Sequence, residues 1–291
     1  MKKGKILFVI NVDWFFLSHR LPIAIKALNE GYEVHIATKI TDKAEEIKSY
    51  GLILHNLDIS RGDFSFFQSL KTLIQLIQIF KRIRPQLVHL VTIKPYLYGG
   101  IISRLIGIPS LVSAVSGLGT LFIHKNLKSK FFRFILFPIY RLAFNHFNQK
   151  VIVQNVDDAK VLEDFGVLNP AKVKLIKGSG VKLENFSSFI EPSGVPVVCF
   201  AARFLRDKGI YEYVNAARLL KQRGVKARFL LAGDLDIKNP SGINLDELNH
   251  IKKKNYVEII GYEKNISNLY ANSNIICLPS YREGLPKSLI E

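Results

Sequence analysis

Four stretches of the chain hold residues whose types and spacing suit chemistry. The last reads Pro279-Ser-Tyr-Arg-Glu283-Gly-Leu-Pro-Lys-Ser-Leu-Ile-Glu291, with two glutamates eight positions apart across a Gly-Leu-Pro turn. An ionised carboxylate accepts hydrogen bonds from vicinal hydroxyls, and Gly284 and Leu285 offer backbone N–H groups near an expected helix start, where an anion is favoured. Upstream, Ala202-Arg203-Phe-Leu-Arg-Asp-Lys208-Gly209 sets an arginine and a lysine five positions apart, between an apolar run and an amphipathic stretch. Two such cations suit a diphosphate. Acids that grip hydroxyls beside cations that grip phosphates describe a nucleotide-sugar site.

The other two stretches lie in the first half. Asn11-Val-Asp-Trp-Phe-Phe-Leu-Ser-His-Arg-Leu-Pro22 follows the first apolar run. Ser18 or His19 is expected at the start of the next helix, where free N–H groups and the dipole favour an anion. Asp13, Ser18, His19 and Arg20 are therefore site candidates, and Trp14, Phe15 and Phe16 can shape an apolar acceptor pocket. Asp13 serves equally well as a cap and the rings as packing. In Ser116-Gly117-Leu-Gly119, two glycines let the backbone approach a ligand, or simply turn. Asp234-Leu-Asp236 spells the Asp-x-Asp that binds metal in some nucleotide-sugar enzymes. Its place after Gly233 and before Lys238-Asn-Pro-Ser-Gly reads instead as a loop without a metal. His-Glu-x-x-His, a nucleophile elbow and a phosphate loop are all missing from the sequence, so neither a metal nor a resident cofactor is expected.

The elements that must position these residues alternate between short apolar runs and amphipathic stretches. Strands are expected at 5–12, 33–38, 52–57, 87–91, 110–115, 150–154 and 173–176. Helices are expected at 19–30, 42–50, 65–83, 96–106, about 125–147 and 156–165. Runs rich in Val, Ile and Leu without in/out alternation fit parallel strands covered on both faces. Turn residues gather before Val195, and the alternation then restarts with strands at 197–202, 227–232, 256–260 and 275–278. The expected architecture is α/β, with two Rossmann-like doubly wound parallel-sheet domains, 1–184 and 185–291, facing a cleft. Ligands of such sheets bind at the carboxyl ends of the strands, which is where all four stretches fall.

Charge and composition bound the class. The 291 residues carry 41 Lys+Arg against 24 Asp+Glu, a net charge of +17. Residues 1–184 hold 26 basic and 13 acidic side chains (+13) and the remainder 15 and 11 (+4). From Phe64 to Val156 there are twelve Lys/Arg and no acid, and within 122–150 the cations alternate with large aromatics. Such a segment suits an anionic membrane surface; the plainer reading is a solvated basic face with its rings packed inward. Nucleic acid, the competing anion, lacks any accompanying binding motif. Cys199 and Cys277 sit in apolar runs and read as buried hydrophobes in a reducing compartment. The uncharged run 105–123 approaches membrane-span length, but its glycines, serines and Pro109 favour a strand and a turn over a membrane helix.

At these motifs the sequence resembles the retaining glycosyltransferases of family 4, which have the GT-B fold. The shared marks are Ala-Arg203-Phe-Leu-Arg-Asp-Lys208-Gly, Leu-Leu-Ala-Gly233-Asp and Ser280-Tyr-Arg-Glu283-Gly-Leu-Pro preceding Glu291, the family's Glu-x7-Glu. Val12 to Ala24, Thr92-Ile-Lys-Pro and Ser116-Gly-Leu-Gly are similar to the bacterial branch that extends polyprenyl-diphosphate-linked sugars. The resemblance implies a UDP-sugar donor, a lipid-linked glycan acceptor and metal-free catalysis at the inner face of the cytoplasmic membrane. It assigns Arg203 and Lys208 to the leaving diphosphate, Glu283 to the donor hexose, Glu291 to the ribose, and Gly261-Tyr262 to the base. Relatives continue past the second glutamate, so the resemblance implies a C-terminally truncated chain with an incomplete second domain and weak turnover. The rival readings are an inactive membrane-associated or complex-forming remnant, and another GT-B enzyme such as a UDP-sugar epimerase.

Overall fold

The chain divides into two compact units, Met1–Ser179 and Gly180–Glu291. The computed structural model describes residues 3–59, 65–118, 127–181, 183–186, 190–237, 239–281 and 283–291; the side chains of 127–133 and of Asn185 are outside this description.

In the first unit, seven parallel strands form one sheet. They are β1 (Lys5–Val12), β2 (Glu33–Lys39), β3 (Ile53–Asn56), β4 (Leu87–Val91), β5 (Ser110–Val115), β6 (Gln149–Val153) and β7 (Val173–Leu175). Their order is β3-β2-β1-β4-β5-β6-β7. From β1 the chain builds toward one edge, then returns to lay β4 against the other side of β1. The topological switch point of this unit therefore lies between β1 and β4. Helices α1 (Asp13–His19), α2 (Leu21–Asn29) and α3 (Ala44–Ser49) cover one face, packing Phe16, Leu21, Ala24 and Ile47 against Phe8, Ile10, Val34 and Ile36.

 Helices α4 (Phe66–Ile83), α5 (Ile93–Ile106), α6 (Leu127–Ala143) and α7 (Val156–Asp164) cover the other face. There Leu76, Phe80, Tyr96, Tyr140, Ala143 and Leu162 pack on Leu7, Val9, Val88 and Leu90. Burial on both faces is why these strands read as unbroken apolar runs. Asn155 caps α7 by accepting from the Asp158 N–H at 2.7 Å. Gly100 lets α5 cross α6 closely: a Cβ there stands 2.6 Å from the Ala143 carbonyl oxygen.

Two sequence expectations change in this unit. The helix expected from His19 to Glu30 is two helices, because the chain turns helical at Asp13, directly after β1, and breaks at Arg20 (φ −130°, ψ −13°). Pro22, in the first turn of α2, starts a fresh helix there. In the block 122–150, residues 122–126 and the side chains of 127–133 lie outside the description. Of the rest, Tyr140, Ala143 and Phe144 are core, whereas Phe134 and Phe147 are exposed. Among the described residues, no helix is long and apolar enough to cross a membrane.

The second unit holds four parallel strands, β8 (Val197–Ala201), β9 (Arg228–Ala232), β10 (Glu258–Gly261) and β11 (Ile275–Ile276), in the order β10-β9-β8-β11. Its switch point lies between β8 and β11. Helices α8 (Ile210–Gln222) and α9 (Leu245–Lys254) pack on Phe200, Phe229 and Leu231. Helix α10 (Ile266–Ala271) packs Leu269 on Cys199, Leu230 and Ala232. A four-residue helix, α11 (Lys287–Ile290), follows the Gly-Leu-Pro turn.

Candidate active site

The switch point of the second unit brings together residues 75 positions apart in sequence. From β8 the chain passes through Arg203 into a 3-10 turn, Arg206–Lys208, and enters α8 at Gly209. From β11 it passes through Pro279 to Glu283. The two segments are tied at the backbone, since the Tyr281 N–H and the Ser280 hydroxyl both donate to the Asp207 carbonyl at 3.0 Å. The Tyr281 hydroxyl donates to Glu212 on α8 at 2.5 Å. Gly209 is required at the crossing: its φ is +79°, and a Cβ would overlap the Pro279 carbonyl oxygen. This seam sets the Lys208 ammonium on the Glu283 carboxylate as an ion pair, with the side chains 25% and 23% exposed. At that exposure the pair is accessible to a ligand and is only partly screened by solvent.

Arg203 is held from the neighbouring strand. Its Nη1 donates to Asp236 Oδ2 at 2.5 Å, and the loop carrying Asp236 is stitched to β8 by the Phe204 N–H on the Asp234 carbonyl at 2.9 Å. Asp236, half of the Asp-x-Asp, is thus a partner of Arg203. Sequence reading set Asp236 aside; its spacing from a strand end was the only signal. Gly261 ends β10 with its carbonyl accepting the Gly233 N–H at 2.8 Å, and Tyr262 beyond it is 71% exposed. Gly284 and Leu285 lie between Glu283 and α11. Glu291 stands apart from the Lys208–Glu283 pair: it bonds Lys287 at 3.1 Å and lines a pocket of about 320 Å³ with Ser267, Tyr270 and Asn274.

In the first unit the candidates separate. Asp13 is fully buried and its carboxylate is saturated: Oδ2 accepts from the Thr41 N–H at 2.6 Å and the Lys43 N–H at 3.2 Å, and Oδ1 from the Thr41 hydroxyl at 2.6 Å. It clamps the loop after β2, which is the capping alternative. Ser18 and His19 lie in the last turn of α1 rather than at a helix start, so the N-terminal dipole argument does not apply to them. The Ser18 hydroxyl meets His19 Nδ1 at 2.5 Å, and the imidazole stacks on Phe15 at 4.1 Å. Arg20 is 5% exposed, and burial lowers its pKa to about 10. Gly117 follows β5 at φ +130°, and Gly119 lies outside the described residues.

Sequence reading passed over the polar residues at this sheet's switch point. His89 on β4 is buried against the Phe8 ring at 5.2 Å. Burial, with Arg20 adding to it, drives its pKa down to about 3. Asn11 Oδ1, His89 Nε2, Thr92 Oγ1 and Ser116 Oγ are buried without a hydrogen-bond partner. The available signal was a histidine at a core position in Leu-Val-His-Leu-Val. Among the described residues, no group of three or more His, Cys, Asp or Glu is arranged to hold a metal.

Comparison with known proteins follows the same two-part division. Residues 5–155 match the family described as Glycosyl transferase 4-like, and residues 181–291 match Glycosyl transferases group 1. The chain is 30% identical over 298 residues to the N,N'-diacetylbacillosaminyl-diphospho-undecaprenol alpha-1,3-N-acetylgalactosaminyltransferase of Campylobacter jejuni, covering 95% of this chain and 76% of that one. It is 24% identical over 242 residues to the UDP-Gal:alpha-D-GlcNAc-diphosphoundecaprenol alpha-1,3-galactosyltransferase of Escherichia coli, covering 79% and 60%. The structure of Anabaena Alr3699/HepE in complex with UDP-glucose superposes with a TM-score of 0.70 at 17% identity, covering 98% of this chain and 75% of that one. The fold is that of the GT-B glycosyltransferases, and the chain belongs to the group 1 and 4-like glycosyl transferase family.

Proposed function

We infer that this glycosyltransferase moves a hexose or N-acetylhexosamine from a UDP-sugar to a polyprenyl-diphosphate-linked glycan acceptor. The observation that carries the reading is the Lys208–Glu283 pair at the switch point, with Arg203 at the end of the same strand. A cation and a carboxylate in contact match the two ends of a nucleotide sugar, a diphosphate and a hydroxyl-bearing ring. The UDP-sugar and the lipid diphosphate are named for the relatives from Escherichia coli and Campylobacter jejuni, which supports both ends of the assignment.

In this reading Arg203 and Lys208 give up their carboxylate partners to the donor diphosphate and neutralise its charge as the glycosidic bond breaks. Fixed charges aimed at developing charge supply on the order of 3–4 kcal/mol per donor group removed. Glu283 accepts hydrogen bonds from the hexose, with the Gly284 and Leu285 N–H groups beside it; Glu291 takes the ribose, and Gly261 and Tyr262 border the base. The sugar keeps its anomeric configuration because the acceptor hydroxyl attacks from the face the diphosphate leaves, passing its proton to a departing phosphate oxygen. No protein nucleophile is needed. The basic aromatic segment 122–150 holds the enzyme on anionic lipid at the cytoplasmic membrane face, where such an acceptor resides.

The test is transfer from a panel of radiolabelled UDP-sugars to a synthetic polyprenyl-diphosphate-linked sugar, with the same sugar lacking lipid diphosphate as control. Acceptor-dependent product with one UDP-sugar is expected; turnover indifferent to the lipid diphosphate refutes the acceptor assignment. In a liposome float assay, the triple change Lys128→Glu, Lys130→Glu, Arg133→Glu is expected to release the enzyme from anionic vesicles. Unchanged flotation refutes the membrane role of that segment.

A further inference from the structure

The first unit holds a buried cation with no counter-charge among the described residues. Arg20 sits between Phe16 and Leu21, both of which pack with Val91 and Ala114 on one face of the sheet. His89 lies two residues before Val91 on that face, and Ser116 two residues after Ala114, because strand side chains alternate with a period of two. In β4–β5 register, Val91 is opposite Ala114. His89, opposite Val112 in that register, lies beneath the strand tips and touches the Phe8 ring that also meets Phe16, one helical turn before Arg20, while Ser116 lies further along, past the end of β5.

These polar groups lack partners. Arg20 donates one bond, from Nη1 to the His19 carbonyl at 2.9 Å, while its Nε, His89 Nε2 and Ser116 Oγ bond nothing. Among the described residues, no acid answers the guanidinium. Residues 65–155 contain none, and the carboxylate of Asp13, the acid of α1, is committed to Thr41 and Lys43. Leaving a buried charge unpaired is strongly destabilising, so a fold that keeps one has a use for it. The next strand tip, toward β1, adds further open groups: Asn11 Oδ1 and Thr92 Oγ1 are likewise unpartnered. This is the switch point of the sheet, where ligands of doubly wound folds bind.

We propose that Arg20, with His89 beside it, forms an anion site in the first unit that receives a phosphate group of the lipid diphosphate acceptor. The guanidinium donates to the phosphate oxygens, and His89 donates its ring N–H. The identity of the phosphate rests on the acceptor assignment above; the existence of the anion site does not.

The experiment separates the two. To remove the donor-side cations, the background is the full chain carrying Arg203→Gln and Lys208→Gln. Inorganic pyrophosphate is titrated into it at 150 mM salt, following the thermal midpoint and the heat of binding. A rise in the midpoint is expected, and adding Arg20→Met should weaken binding at least tenfold, because hydrogen bonds to charged groups are the strong ones. Without pyrophosphate, Arg20→Met should melt higher than its parent, since it removes an unpaired buried charge while filling similar volume. Where Arg20→Met does not fold, His89→Leu replaces it, with an expected loss of threefold or more. No pyrophosphate response in the background, or a response that survives these changes, overturns the anion site. A response to pyrophosphate that farnesyl diphosphate fails to compete for retains the site and overturns its assignment to the acceptor.

Discussion

Gly209→Ala tests whether the seam between the two loops of the second unit sets the active-site geometry. Two costs arise at this position. An alanine at φ +79° pays about 1–2 kcal/mol for the left-handed conformation. The new Cβ would also stand 2.6 Å from the Pro279 carbonyl carbon and 2.8 Å from its Cγ, where ordinary contact begins at 3.4 Å. The segments must part by roughly 1 Å, a displacement that costs about a hundredfold in rate when it misplaces reacting groups. The expected result is a loss of about 2–4 kcal/mol in urea unfolding and a fall of about two orders of magnitude in acceptor-dependent UDP release. Gly224→Ala is the control. Its φ is +76° but nothing lies within 4 Å of a Cβ, so it should lose only about 1–2 kcal/mol and keep its activity. Equal behaviour of the two variants would refute the claim that close approach at Gly209 positions Lys208 against Glu283.

Three further outcomes follow from named contacts. Lys208→Met should lower kcat/KM by about 10²–10³ and weaken UDP binding, whereas Glu283→Gln should lower turnover with UDP affinity nearly unchanged; parallel loss of UDP affinity in both argues against separate diphosphate and hexose roles. His89, facing Phe8 from β1 and the Arg20 guanidinium from the α1–α2 break, stays neutral in the fold down to a pKa of about 3. An unfolded histidine titrates near 6.5. Its contribution is therefore complete above pH 6.5 and is lost as pH falls toward 3, by up to about 1.4 kcal/mol per unit. His89→Gln should flatten that acid limb, and an unaltered slope between pH 6 and 4 contradicts it. Gly100→Val should destabilise by at least about 2 kcal/mol, because its Cβ stands 3.1 Å from the Ala143 Cα of α6; chemical denaturation measures it, and a neutral result refutes tight α5–α6 packing.

How much was legible in the sequence depended on whether local patterning or long-range placement decided each feature. Strands buried on both faces announce themselves as runs such as Ile6 to Val12, so the alternation of elements could be read directly. Where one residue resets the backbone, the reading slipped: Arg20 breaks a continuous apolar pattern into α1 and α2, and this moved Ser18 and His19 from a helix start to a helix end. The motif residues Arg203, Lys208 and Glu283 were visible as types at strand ends, but the Lys208–Glu283 pairing depends on β11 lying beside β8. That adjacency is a property of sheet order, which no local window contains. The buried polar pair was hidden for a related reason. Arg20 and His89 are each unremarkable in sequence, and what distinguishes them is a shared face and the lack, among the described residues, of an acid to meet them. Absence of a partner is a relation among distant residues, so it emerges only once the fold assigns neighbours. The same reasoning separates the two switch points: in the second unit each cation already holds a carboxylate that a ligand must displace, whereas Arg20 in the first holds none among the described residues, so an anion there gains the full electrostatic interaction without breaking an ion pair.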